Sequence, residues 1–327
     1  EVMPARQNLR MKIAELLIRA EQQEEAAKEF LELLKADPAN RDARIALGLL
    51  YYEMRRFDDA ADQFMILLEK AVNDNRARYL LANTLEQQGN PQKASQEYQK
   101  ISPDFEFFLN ARIHAAMIAK KEGHMTEAIG IVVQAITRRN DQALPYLYLS
   151  SLYEDVKDLV AAERTIREGL ARFSRNADLY YVLGSLQEKT NRFEESIRSM
   201  EKVLEIDPQN ADALNFIGYT YADRGIHLDQ AERLIEQALK LKPDNGYILD
   251  SMGWVHFRKN RYESALHYLQ KALEFLPDDA SIMEHLGDVL VALGRKEEAL
   301  DYYGRAAKAS PENSKLRKKI DDLTSKR

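Results

Sequence analysis

Four prolines near the C-terminal end of the chain, Pro208, Pro243, Pro277 and Pro311, lie 35, 34 and 34 residues apart. Four glycines, Gly184, Gly218, Gly253 and Gly287, keep almost the same interval. A period of this length marks a repeat architecture, in which each unit is too small to bury its apolar face alone and buries it against its neighbours. Steps of 34 place repeat starts near 7, 41, 75, 109, 143, 177, 211, 246 and 280, with one extra residue in the repeat that begins at 211. A tail runs on from about residue 314.

Numbered from those starts, position 8 is small throughout: Ala14, Gly48, Ala82, Ala116, Ser150, Gly184, Gly218, Gly253 and Gly287. Position 20 is Ala in every repeat but the sixth, where it is Ser196. The pattern predicts two amphipathic helices per repeat, A and B, of about 12 to 14 residues each, approaching closely where both are small. Large residues at position 24, such as Phe30, Phe64, Tyr98 and Tyr303, fill the space beside them. Proline is disfavoured inside a helix, so Pro38, Pro208, Pro243, Pro277 and Pro311 predict the ends of B helices. Two residues later stand Asn or Asp side chains suited to cap the next helix: Asn40, Asp74, Asn176, Asn210, Asn245, Asp279 and Asn313. Gly89-Asn90, Thr190-Asn191, Lys259-Asn260 and Gly294-Arg295 mark A-to-B turns. The extra residue falls near Gly225.

These residues resemble the tetratricopeptide repeat family, most closely in the last four repeats. The resemblance covers roughly residues 7 to 311 and weakens in the third to fifth repeats, which lack the terminal proline. It implies an all-α fold: a single right-handed superhelical solenoid of about nine helical hairpins, with a groove lined by the A helices. The tail, about 314–323, is then a capping helix over the last apolar face.

Composition bears on function. The net charge is −6, and no basic stripe of the kind nucleic acid requires appears. Cysteine is absent, which excludes disulfides and thiolate chemistry within the sequence. No apolar run is long enough to span a membrane. The opening EVMPARQN resembles neither a signal peptide nor a natural start, so whether a targeting or anchoring segment stands ahead of it is left open by the sequence. Six histidines form no paired-ligand motif, and no phosphate-binding loop is present. The sequence therefore predicts no enzyme activity, no cofactor and no metal site.

A helix advances about 100° per residue, which puts positions 2, 5, 6, 9, 12 and 13 of each A helix on the groove side. On that reckoning Tyr148, Tyr181, Phe216, Tyr219, Tyr247, Asp250, Trp254, Phe257 and Arg258 are the candidate partner-binding residues. Trp254 is the only tryptophan. Acidic side chains outnumber basic ones on these positions, thirteen to seven. A protein or peptide partner that is neutral to basic, with apolar anchors, is expected. The three phenylalanines of SPDFEFF, 102–108, are expected to pack between repeats, and His256 inside its hairpin.

The run from Phe216 to Leu300 also resembles the C-terminal repeats of bacterial envelope lipoproteins of this class. That resemblance implies a periplasmic or lipid-anchored adaptor that delivers substrates to a processing protease or serves envelope assembly or export. A cytoplasmic location is the alternative. A regulatory array belonging to a larger enzyme, such as a transferase, is the competing reading; the charged end of the capping helix speaks for a natural C-terminus. Self-association through the terminal repeats stays open.

Overall fold

The computed structural model describes residues 2–325, with side chains from residue 7. Nineteen α-helices follow one another in consecutive pairs, and no strand occurs among the described residues. The chain divides into two compact units, the first ending at Thr165 and the second beginning at Ile166. Unit 1 holds α1 (Val2–Arg19), α2 (Gln23–Ala36), α3 (Arg41–Glu53), α4 (Phe57–Lys70), α5 (Asn75–Gln87), α6 (Pro91–Gln99), α7 (Phe108–Lys121), α8 (Met125–Arg138) and α9 (Leu144–Asp155). The division falls inside α10 (Leu159–Arg172). Unit 2 continues with α11 (Ala177–Lys189), α12 (Phe193–Ile206), α13 (Ala211–Arg224), α14 (Leu228–Leu241), α15 (Gly246–Arg258), α16 (Tyr262–Phe275), α17 (Ala280–Ala292), α18 (Lys296–Ala309) and α19 (Ser314–Thr324).

Local chemistry sets the helix ends. All seven capping side chains accept a main-chain N–H from the first turn of the helix they precede. Five B helices stop two residues before a proline: α2 before Pro38, α12 before Pro208, α14 before Pro243, α16 before Pro277 and α18 before Pro311. Each A-to-B turn carries a residue in the left-handed region, at Glu21, Arg55, Gly89, Gly123, Lys157, Asn191, His227, Asn260 and Gly294. Gly225 is a second one in its turn, and α13 is a residue longer than α11, α15 and α17.

The hairpins close on the small residues. Every position-20 side chain, from Ala26 to Ala299, is fully buried. Ser196 keeps its hydroxyl satisfied by donating to the Gly184 carbonyl at 2.8 Å. Position 24 of helix B points at position 8 of helix A: a Cβ on Gly287 would lie 2.2 Å from the Tyr303 ring, and one on Gly48 2.6 Å from Phe64. Here the missing side chain is what lets the helices meet.

Position 4 differs between the units. In the first four hairpins it is Arg10, Arg44, Arg78 and Arg112; in unit 2 it is Tyr180, Leu214, Leu249 and Met283. Arg44, Arg78 and Arg112 are buried at 8% exposure. Arg44 donates to the Pro38 carbonyl at 2.9 Å and to Gln63 at 3.0 Å, and Arg78 repeats the scheme with Val72 and Glu97. The guanidinium thus satisfies a carbonyl in the junction two residues past the end of the preceding B helix.

α6 is the shortest helix described. The SPDFEFF segment that follows it divides its three rings. Phe108 is fully buried and Phe105 half-buried against the same core, as expected for packing residues. Phe107 stays 42% exposed and stacks on Tyr79 at 5.3 Å. At the C-terminal end, α19 covers the last apolar face with Leu316, fully buried, and with Ile320 and Leu323.

Candidate partner-binding cleft

In unit 2, side chains of α11, α13 and α15 line a cleft of about 340 Å³. Four aromatic rings face it: Tyr181 from α11, Phe216 and Tyr219 from α13, and Tyr247 from α15. Tyr181 and Phe216 meet edge to face, with centroids 6.3 Å apart. Tyr247 is 59% exposed. Two carboxylates, Asp212 and Asp250, complete the charged lining, and no basic side chain contributes to it. Apart from Ile248, at position 3, the lining residues of α13 and α15 occupy positions 2, 5, 6 and 9 of their repeats, which one face of a helix brings together.

The cleft lies in a negative field. Burial first, and then the carboxylates of Asp223, Asp250, Glu188 and Glu284, push the Tyr219 hydroxyl well above the usual phenol range. Burial and Asp212 raise Tyr181 in the same way. Asp212 is paired with Lys242, just past the end of α14, at 2.8 Å. Asp250 meets Nδ1 of His285, on α17, at 2.8 Å. Burial alone would lower the His285 pKa, but the Asp250 carboxylate outweighs it and the value is raised. Lys319 of α19 sits 2.7 Å from both Glu284 and Asp288, so the acidic count on α17 is offset by a cation from the capping helix. The Asn215 side-chain oxygen is buried without a hydrogen-bond partner beside the cleft.

The nine residues picked from sequence do not form one set. Tyr181, Phe216, Tyr219, Tyr247 and Asp250 come together at the cleft. Trp254 does not open onto a groove: it is 8% exposed, stacked between Phe257 at 4.9 Å and His285 at 4.2 Å. Position 9 on α15 is occupied by packing of one A helix on the next, and the indole N–H finds no acceptor among the described residues. Phe257 is half-buried in the same stack and reaches the Tyr262 ring at 5.8 Å. Arg258 turns away to the end of α13, where it donates to the Asp223 carbonyl at 2.6 Å. It also lies against Gly225, whose φ of +69° and lack of a Cβ leave room for the guanidinium. Tyr148 belongs to unit 1, half-buried against that unit's core, with its hydroxyl buried and unpartnered. Sequence reasoning passed over Asn215 and the His285–Asp250 pair, although the period that picks out Phe216 places Asn215 beside it. His256 packs inside its hairpin, as expected, stacked on Tyr268 at 5.3 Å.

Among the described residues no group of three or more His, Cys, Asp or Glu side chains is placed to hold a metal, and no helix is long and apolar enough to cross a membrane. What the cleft offers is apolar area and acceptors, with two carboxylates that are paired from outside its lining, Asp212 by Lys242 and Asp250 by His285.

Comparison with known proteins agrees with this architecture. Tetratricopeptide repeat models match residues 11–64, 45–104, 177–210 and 251–314, together more than half of the chain. A TPR repeat-containing protein of Pseudomonas aeruginosa is 32% identical over 194 residues, 59% of this chain and 33% of that protein. Superkiller protein 3 of Schizosaccharomyces pombe is 23% identical over 288 residues, 72% of this chain and 21% of its own length. The chain thus spans a third or less of these relatives. Among solved structures, a tetratricopeptide repeat protein from Parabacteroides merdae superposes with a TM-score of 0.60 at 14% identity, over 76% of this chain and 98% of that one. PilW, a type IV pilus biogenesis factor, gives 0.56 at 19% identity, over 65% and 98%. With its repeat period, its hairpins and these matches, the chain belongs to the tetratricopeptide repeat family.

Proposed function

We propose that this protein is a non-catalytic scaffold that holds a partner protein or peptide in the cleft of unit 2. The bound segment is neutral to basic and carries apolar anchors. One observation carries the reading: four aromatic rings and two carboxylates line the cleft without a basic side chain. Aromatic rings supply large contact areas, and their negative faces attract cations. Carboxylates beside them favour a basic segment and reject an acidic one. The buried, unpartnered oxygen of Asn215 supplies an acceptor for a donor on the bound chain.

Capture from native cell extracts tests this reading. Wild type is compared with a Phe216→Ala, Tyr247→Ala double variant whose helical circular dichroism is unchanged. The proposal expects a partner that the variant loses, with binding that weakens as salt rises. Equal capture by both proteins, or a strongly acidic partner, would count against the cleft.

We further propose an envelope role, as an adaptor that delivers substrates to a processing protease or serves assembly or export. The resemblance of the Phe216–Leu300 run to envelope repeat lipoproteins supports it. Cell fractionation combined with the capture experiment checks it: a protease or export component held in the envelope fraction is expected, and an exclusively cytosolic partner would defeat it.

A further inference from the structure

The fourth-position arginines of unit 1 do not all have the same partner. Arg10, Arg44 and Arg78 each reach the side chain nineteen residues on: Glu29 at 2.6 Å, Gln63 at 3.0 Å, and Glu97. In the fourth hairpin that place is taken by Ile131, which is 8% exposed. Arg112 is as buried as Arg44 and Arg78, yet its guanidinium donates only to main chain, to the Tyr98 carbonyl at 3.1 Å and the Ile101 carbonyl at 3.2 Å. It also lies over the Phe108 ring, 4.9 Å away. Among the described residues no carboxylate lies within ion-pair distance of Arg112 or of Arg138. The one side-chain charge that acts on Arg112 is Arg138, of the same sign; burial first and Arg138 second push the guanidinium down to about 10.

A cleft of about 230 Å³ opens at this place, lined by Gln99, Arg112, Ile131, Gln134 and Arg138. It presents two guanidinium groups and two side-chain amides, and no acid. An unpaired buried cation is among the costliest groups a fold can carry, and here a second cation stands beside it. A planar guanidinium fork matches the oxygens of a carboxylate or phosphate.

We propose that this cleft binds a small oxyanion between Arg112 and Arg138, beside Ile131, and so supplies the negative charge that Glu97 supplies to Arg78 one hairpin earlier. A free phosphate and the carboxylate of a bound acidic side chain present the same chemistry to it. The site lies in unit 1, apart from the aromatic cleft, and does not depend on that cleft's function.

Thermal unfolding of the full chain tests the proposal. Inorganic phosphate and, separately, acetate are titrated against sodium chloride at equal ionic strength. Phosphate stabilises folded proteins in general by exclusion from their surface, so the informative quantity is the difference between wild type and two variants. Arg138→Gln removes one cation, and Ile131→Glu supplies the missing carboxylate within the chain. Wild type is expected to gain about 1–3 °C over chloride at ligand concentrations well above half-saturation, and both variants to lose that gain. A response to phosphate alone identifies a phosphate-type ligand, and a response to acetate identifies a carboxylate; either supports the site. Equal gains in all three proteins, or none above chloride in wild type, would overturn it. Should Ile131→Glu not fold, the exposed substitution Arg138→Gln decides the matter alone.

Discussion

The first four hairpins of unit 1 and the hairpins of unit 2 fill the same packing position with different chemistry. In unit 1, position 4 is arginine, and Arg44 and Arg78 tie the end of the preceding B helix to their own hairpin through directed hydrogen bonds. In unit 2 the position holds Leu214, Leu249 and Met283, all buried, after a half-buried Tyr180. Position 8 shifts with it. Unit 2 has glycine in four successive repeats, with Met200, Ile235, Leu269 and Tyr303 pressed onto the bare backbone; the first four hairpins have Ala14, Gly48, Ala82 and Ala116. One unit thus joins its helices by adding polar staples, the other by deleting side chains. A staple depends on its partner, whereas an apolar plug needs only volume.

Exchanging the two chemistries is the harshest way to break this contrast. Leu249→Arg buries a guanidinium where unit 2 provides no matching staple, and we expect a loss of about 3–5 kcal/mol. Urea unfolding followed by Trp254 fluorescence reads it, because the only tryptophan lies in unit 2. A variant as stable as wild type would show that position 4 is not selective between the units.

Removing one partner of a staple comes next. Glu97→Ala leaves Arg78 buried without its carboxylate, at a cost of about 2–3 kcal/mol. Replacing both, Arg78→Leu with Glu97→Leu, converts the hairpin to the chemistry of unit 2 and is expected to recover most of that loss. Amide exchange across α5 and α6 separates the two variants. A double variant as unstable as the single one would mean that the carbonyl contact to Val72, not the ion pair, holds the hairpin.

The smallest effect concerns the ion pair that unit 2 does bury. His285 has a raised pKa in the fold because of Asp250, so its stabilisation is complete below the unfolded-state value and is lost as pH rises through the folded-state value. The urea midpoint of wild type should therefore exceed that of His285→Gln by more at pH 5.5 than at pH 8.5. His256, whose pKa burial lowers, acts in the opposite sense in both proteins and cancels in the difference. A difference that does not change with pH would show that the Asp250 contact does not depend on the imidazolium.

Periodicity made the architecture legible: helix starts, caps, turns and the small-on-large contact all follow from residues that recur every 34 places. It made half of the cleft legible too, since Tyr181, Phe216, Tyr219, Tyr247 and Asp250 sit at the positions that one helix face brings together. It failed where a side chain's direction depends on a neighbour in the next repeat. Trp254 shares position 9 with Tyr219, yet the His285 ring at 4.2 Å and Phe257 at 4.9 Å cover it. Arg258 has the groove-side spacing, but the room left at Gly225 lets its guanidinium donate to the Asp223 carbonyl instead. The acidic tally on α17 misled for a similar reason, because Lys319 arrives from outside the repeat period.

Site-specific photocrosslinking in the native cell tests the central claim most directly. A photoreactive residue is placed at Tyr247, on the cleft, and in a second protein at Phe275, an exposed position on α16 outside it. The account predicts a partner adduct from position 247 that disappears when Phe216→Ala is added, and none of the same mass from position 275. An adduct from 275 alone, or one from 247 that is indifferent to Phe216, would contradict it.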